Sequence, residues 1–116
     1  MTEQRCRLVL THQTRQQFRE LRQSIESVSG SEVTARNYMR ALTDYIEHLP
    51  DFPLRGQAFS LHHTGMRIIG FRKTLLIAFL VTDDRVVILS LLTTRHSRLT
   101  LEEALTQALE SFQRRL

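Results

Sequence analysis

Six residues of this chain have the types and placement to do chemistry on an anion: Arg67, Arg72, Lys73, Arg95, His96 and Arg98. Each stands at an end of an apolar run or in the turn beside one, where a charged head group stays in reach of a ligand. No acid offsets them nearby. From Phe52 to Thr82 there is no Asp or Glu, while Arg55, His62-His63, Arg67, Arg72 and Lys73 fall inside the stretch. From Arg85 to Leu101 the pattern repeats with Arg85, Arg95, His96 and Arg98. Lys and Arg number 16 against 12 acids, a net charge of +4, and only Lys73 is a lysine. Arginine holds planar anions through two parallel hydrogen bonds. A surface of this kind suits phosphate or an acidic protein. The alternative is an arginine-rich solvated surface with no binding role.

Two catalytic schemes can be tested against these residues. Cleaving RNA through its own 2′-hydroxyl needs a base, an acid and positive charge for the phosphorane. His96 is of the type that titrates in the useful range, and Arg67, Arg95 or Arg98 would supply the charge. No carboxylate accompanies them, so a single histidine would carry both proton transfers; otherwise His96 is an exposed strand-end histidine. Metal chemistry has less to work with. Neighbours on a strand point to opposite faces, so His62 and His63 cannot chelate together, and Cys6 is remote in sequence. No metal and no cofactor is expected. There is no Gly-rich phosphate loop and no Ser/His/Asp set.

The elements that must position these residues centre on Gly65–Ser97. Met66–Phe71 reads as a strand closed by Arg72-Lys73-Thr74. Leu75–Val81 is seven apolar residues without a break, and Thr82-Asp83-Asp84-Arg85 turns it into Val86–Leu92. The last two strands do not alternate, so both faces of their sheet need cover. Upstream, Arg5–Leu10 is a short strand with Cys6, Leu8 and Leu10 on one face. A helix follows from Gln13, with Phe18, Leu21, Ile25 and Val28 inward, and ends at Gly30. Ser31 caps a second helix whose inward set is Ala35, Tyr38, Leu42, Tyr45, Ile46 and Leu49, and Pro50 stops it. The short link makes the pair an antiparallel hairpin that covers one face. Residues 57–64 add at most a short irregular strand. At the C-terminus Thr100-Leu-Glu-Glu103 is a capping box. It opens a helix over about 100–115 with Leu101, Ala104, Leu105, Ala108, Leu109 and Phe112 on one stripe, a cover for the second face.

The expected fold is one α+β domain over residues 1–116. Its order is β-α-α-β-β-β-α, with a mostly antiparallel sheet on an N-terminal helical hairpin and a C-terminal amphipathic helix. Apolar content of 41% is ordinary for a soluble protein, and no apolar run approaches the ~20 residues of a membrane span. No secretory signal is evident in MTEQRCRLVL, and a lone cysteine fits a reducing compartment, so a cytoplasmic location is expected.

That order, together with particular residues, resembles the RelE/ParE superfamily of toxins from type II toxin–antitoxin modules. The likeness runs from about Arg7 to Ser97. It rests on the strand and helical hairpin, and on the Leu49-Pro50…Pro53…Gly56 loop. It continues through Gly65-Met66-Arg67 opening a strand, the apolar strand 75–81, the Asp83-Asp84 turn, and Val86–Leu92 leading to Arg95-His96. The long hairpin and the Gly-x-Arg strand look more like the ParE branch. RelE-like nucleases usually carry an arginine at the start of the central strand, where this chain has Thr74-Leu75-Leu76. They also carry a tyrosine or histidine near the C-terminus, whereas Tyr38 and Tyr45 both lie in the second helix. ParE-like chains often end the last strand with histidine-glycine; here Thr93-Thr94 stand there. The resemblance implies a toxin neutralised by a cognate acidic antitoxin in a hetero-oligomer, without a membrane. It implies DNA gyrase as target on the ParE pattern, or mRNA on the ribosome on the RelE pattern. The target-binding candidates are Arg67, Arg72, Lys73, Arg95, His96 and Arg98, and a nuclease would use His96, Arg67 and Arg95.

Overall fold

Two apolar runs pair at the centre of the protein, whose computed structural model describes residues 7–51, 57–58, 65–93, 103–104 and 106–110. In chain order the elements are β1 (Arg7–Leu10), α1 (His12–Ser29), α2 (Glu32–Glu47), a 3-10 turn (Leu49–Asp51), β2 (Gln57–Ala58), β3 (Met66–Phe71), β4 (Leu75–Val81) and β5 (Arg85–Thr93). Residues 103–104 and 106–110 are helical. The strands form one sheet in the order β1-β5-β4-β3-β2. Three of its pairings are antiparallel, and β1 runs parallel to β5. The α+β class and the mostly antiparallel sheet on a helical hairpin are those expected from the sequence. The differences are local. Arg85 belongs to β5 rather than to the turn before it, and the irregular stretch after Gly56 contributes the two paired residues of β2. Cys6 and the start of the expected first strand lie outside the described residues.

Both faces of the sheet are covered, as the unbroken apolar runs require. On one face Leu42, Ile46 and Leu49 pack with Phe71, Leu75, Ile77, Phe79, Val86, Ile88 and Leu91. On the other, Met66, Ala78, Leu80, Val87, Leu89 and Leu92 meet Ala108 and Leu109 of the C-terminal helical residues. The interior side chains of β4 and β5, except the half-buried Leu76, are buried on both sides, each large one contributing roughly 1.5–3 kcal/mol. The expected stripe on the C-terminal helix is seen at Ala104, Ala108 and Leu109; Leu101, Leu105 and Phe112 lie outside the described residues.

The helical hairpin forms for the reasons its sequence states. Thr11 and Ser31 accept the backbone N–H of Thr14 and Thr34 as N-caps, and Gly30 ends α1 in the left-handed conformation at φ 67°. The inward set of α2 is buried or half-buried throughout. On α1 the expected stripe is corrected at its far end, where Val28 is 87% exposed. The stripe is periodic, but 18 residues make a helix about 27 Å long. Its bonds to the sheet come from Thr11 to Gln17, so the last turn overhangs.

Two features fix the sheet's registers. Gly65, at φ 97°, accepts the Val81 N–H at 2.8 Å where β3 begins beside the end of β4. A Cβ there would lie 2.6 Å from the Val81 carbonyl oxygen. In β5 a bulge falls at Leu89, since Phe79 pairs with Ile88 and Ala78 with Ser90. Strand β1 stops opposite Ile88, and side chains of α1 take over that edge of β5. The Thr14 hydroxyl donates to the Ile88 carbonyl at 2.9 Å. Gln17 clamps the bulge with both ends of its amide: Oε1 accepts the Leu91 N–H at 2.8 Å and Nε2 donates to Ser90 Oγ at 3.1 Å. Thr14 and Ser90 are buried polar residues, and this network satisfies them.

Candidate functional site

The described candidates divide between the two ends of the sheet. Arg67 is the second residue of β3, half-buried, paired with Ala58 on one side and Phe79 on the other. Arg72 and Lys73 form the turn at the far end of the same strand, which ends at Phe71 roughly 13 Å from Arg67 at about 3.3 Å per residue. Leu75 pairs with both Phe71 and Thr93, so β5 ends beside that turn. The chain therefore leaves the sheet at the Arg72–Lys73 end, opposite to Arg67. Arg95, His96 and Arg98 follow and lie outside the described residues, as do His62 and His63. Among the described residues no group of three or more His, Cys, Asp or Glu is placed to hold a metal ion.

The turn has an unusual backbone. Arg72 (φ 50°) and Lys73 (φ 66°) are successive left-handed residues, a conformation that hairpin turns normally reserve for Asn and Gly. Each non-glycine residue there costs about 1–2 kcal/mol. Both side chains are exposed. The Arg72 guanidinium carbon sits 5.4 Å from the centre of the Tyr38 ring and 5.3 Å from that of Phe71, within the range of a cation–π contact.

Beneath it is an aromatic cluster that sequence reasoning assigned wholly to the core. Tyr38 meets Phe71 edge-on at 5.5 Å, and Tyr45 lies on the same ring at 5.2 Å, tilted by 48°. The Tyr45 hydroxyl donates to the Gly70 carbonyl at 3.2 Å. The two tyrosines are seven residues apart on one face of α2, and both are half-buried. Their spacing gave the helix face correctly; the available signal was that two phenols on an otherwise aliphatic stripe need polar surroundings.

What the hairpin and the sheet amount to is decided by a family model. The model of the ParE toxin of type II toxin–antitoxin systems matches residues 8–98, from β1 to beyond the end of β5. The chain belongs to the ParE toxin family. The resemblance read from Gly65-Met66-Arg67 and the ordered elements thus holds on the ParE side. Among solved structures, the chain is similar to one described as the chromosomal ParDE TA system from P. aeruginosa. The TM-score is 0.65 at 14% identity, covering 77% of this chain and 96% of that one. At that identity the likeness concerns the fold. A conserved hypothetical protein from Helicobacter pylori aligns at TM-score 0.45 and 18% identity, covering 77% and 94%. No curated protein matches the chain. Among the described residues no helix is long and apolar enough to cross a membrane.

Proposed function

We propose that this member of the ParE family is a single-domain cytoplasmic toxin that inhibits DNA gyrase by binding, without catalysing a reaction, and is held inactive by an acidic antitoxin in a hetero-oligomer. The observation that carries the reading is the family match over residues 8–98, which includes every described candidate residue. The target-binding residues in this reading are Arg67, Arg72, Lys73, Arg95, His96 and Arg98.

Substitution separates binding from catalysis. Arg67→Ala and Arg95→Ala should weaken growth inhibition in steps, each by about 1–3 kcal/mol of charge-assisted hydrogen bonding to the target. His96→Gln should be mild, because no proton is moved. Growth inhibition is measured alongside supercoiling by purified gyrase and the integrity of translated mRNA. A folded but inert His96→Gln protein, with mRNA cut by the parent only, rejects the gyrase reading. In a nuclease, losing the general acid or base costs roughly 10²–10⁴ in rate.

A further inference from the structure

The turn between β3 and β4 is where the chain departs furthest from what its local chemistry prefers. Arg72 and Lys73 take left-handed backbone without being glycine or asparagine, and the strands they join would pair equally well across Asn-Gly. Strain of this kind, held at an exposed tip, is a mark of function when the fold gains nothing from it. The side chains are prepared for a ligand. Arg72 is held over Tyr38 and Phe71. Ring carbons offer no lone pairs, so these contacts leave its N–H donors for an acceptor on a ligand. Among the described residues neither Arg72 nor Lys73 has a carboxylate within ion-pair distance. Beside them Tyr38 and Tyr45 present half-buried rings. Arginine and tyrosine together, next to packed apolar surface, are the composition of a binding hot spot.

We infer that this tip is a contact for the antitoxin. Arg72 takes a carboxylate of an acidic antitoxin segment through two parallel N–H bonds, Lys73 takes a second acid, and Tyr38 carries the segment's apolar side chain. The inference rests on the toxin–antitoxin reading above. Of the two partners in that reading, the antitoxin is the one whose acidity the charge of this chain calls for, at +4 overall with no acid from Phe52 to Thr82. A tip that also belongs to the target-binding surface would let the antitoxin exclude the target by occupying it.

The test is a double substitution that improves the turn while removing the chemistry, Arg72→Asn with Lys73→Gly. Asn-Gly suits left-handed backbone, so the variant folds, and its Tm should rise by several degrees. Titration with the purified product of the open reading frame adjacent to this gene, used as the antitoxin, should show affinity lowered about 10–100-fold. Arg72→Lys keeps the charge and loses the planar fork, and should forfeit most of the same affinity. Antitoxin affinity within about twofold of the parent's in the double variant overturns the inference, since a buried or bidentate contact is worth more than that. If growth inhibition falls while antitoxin affinity is kept, the tip belongs to the target instead, and the inference is equally overturned. A parent chain that forms no complex with the antitoxin removes the toxin–antitoxin reading itself, an outcome distinct from loss in the variant alone.

Discussion

The seam between α1 and β5 and the turn between β3 and β4 are both polar places in an apolar sheet, and they are built on opposite terms. At the seam the polar groups are buried or half-buried and each has a partner: Thr14 on the Ile88 carbonyl, Gln17 on the Leu91 N–H and on Ser90. At the turn they are exposed, their backbone is strained, and no described acid pairs with them. A polar group inside must be satisfied by the fold or it costs free energy, so its partners tell how the chain holds its shape. One held outside against its conformational preference returns less to the fold than its backbone costs, so its partner is to be sought in another molecule. Stability and binding should therefore respond to substitution in opposite ways at the two places.

The largest expected effect is at the seam. Thr14→Val and Gln17→Leu preserve approximate volume and remove the donors and acceptor that close the open edge of β5 beyond Ile88. The Leu91 N–H loses its acceptor, while the Ile88 carbonyl keeps only the Thr11 N–H and Ser90 keeps only the Gln13 amide. The double variant should lose about 4 kcal/mol in denaturant unfolding, at about 1–3 kcal/mol for the unsatisfied Leu91 N–H and about 0.5–1.5 kcal/mol for each of the bonds lost at Ile88 and Ser90. A loss under about 1 kcal/mol would mean that water replaces α1 at the bulge, and the contrast between the two places would fail.

Next in size is the end of the sheet opposite the turn, at Gly65. Alanine there meets the Val81 carbonyl at 2.6 Å and sits at φ 97°. Gly65→Ala should cost about 2–3 kcal/mol, because backbone lies in the way and the conformation is strained. Gly30→Ala is the control, since it has a similar sign of φ and nothing within 4 Å, and should cost only about 1 kcal/mol. Equal losses in the two unfolding curves would show that conformation alone, and not the close approach of β3 to β4, matters at Gly65.

The sheet was legible because its signals are local and dense. Seven consecutive apolar residues from Leu75 and the run from Val86 announce strands buried on both faces, and the turns after Phe71 and Val81 set the hairpins. The caps at Ser31 and Gly30 were equally plain. What could not be read depends on residues far apart in sequence. The parallel pairing of β1 with β5 joins Leu8 to Val86 across the whole hairpin, and periodicity carries no information on strand order. The seam was missed for the same reason: Thr14 and Gln17 look like the solvent side of an amphipathic helix until Ser90 and Leu91 are brought to them. At the candidate site, Arg72 and Lys73 were visible as basic turn residues. Their strain and their seat on Tyr38 were not, because φ and a contact between positions 38 and 72 exist only in the folded chain.

The smallest expected change is the one that sharpens the comparison most. Arg72→Gln keeps a long polar side chain at the tip and removes the cation held over Tyr38 and Phe71. An exposed cation–π contact is worth about 0.5–1 kcal/mol. Some of that should be recovered, because the glutamine amide can still lie on the same rings and the neighbouring Lys73 loses a like-charged neighbour. The unfolding free energy should therefore fall by only about 0.5 kcal/mol, near the limit of what denaturant curves resolve. At the seam, removing comparable polar groups costs several times more, since there the fold supplies the only partners. Should Arg72→Gln instead destabilise the chain by about 2 kcal/mol, the guanidinium would be a brace between α2 and the hairpin. The strained turn would then be explained by the fold itself, with no ligand needed to account for it.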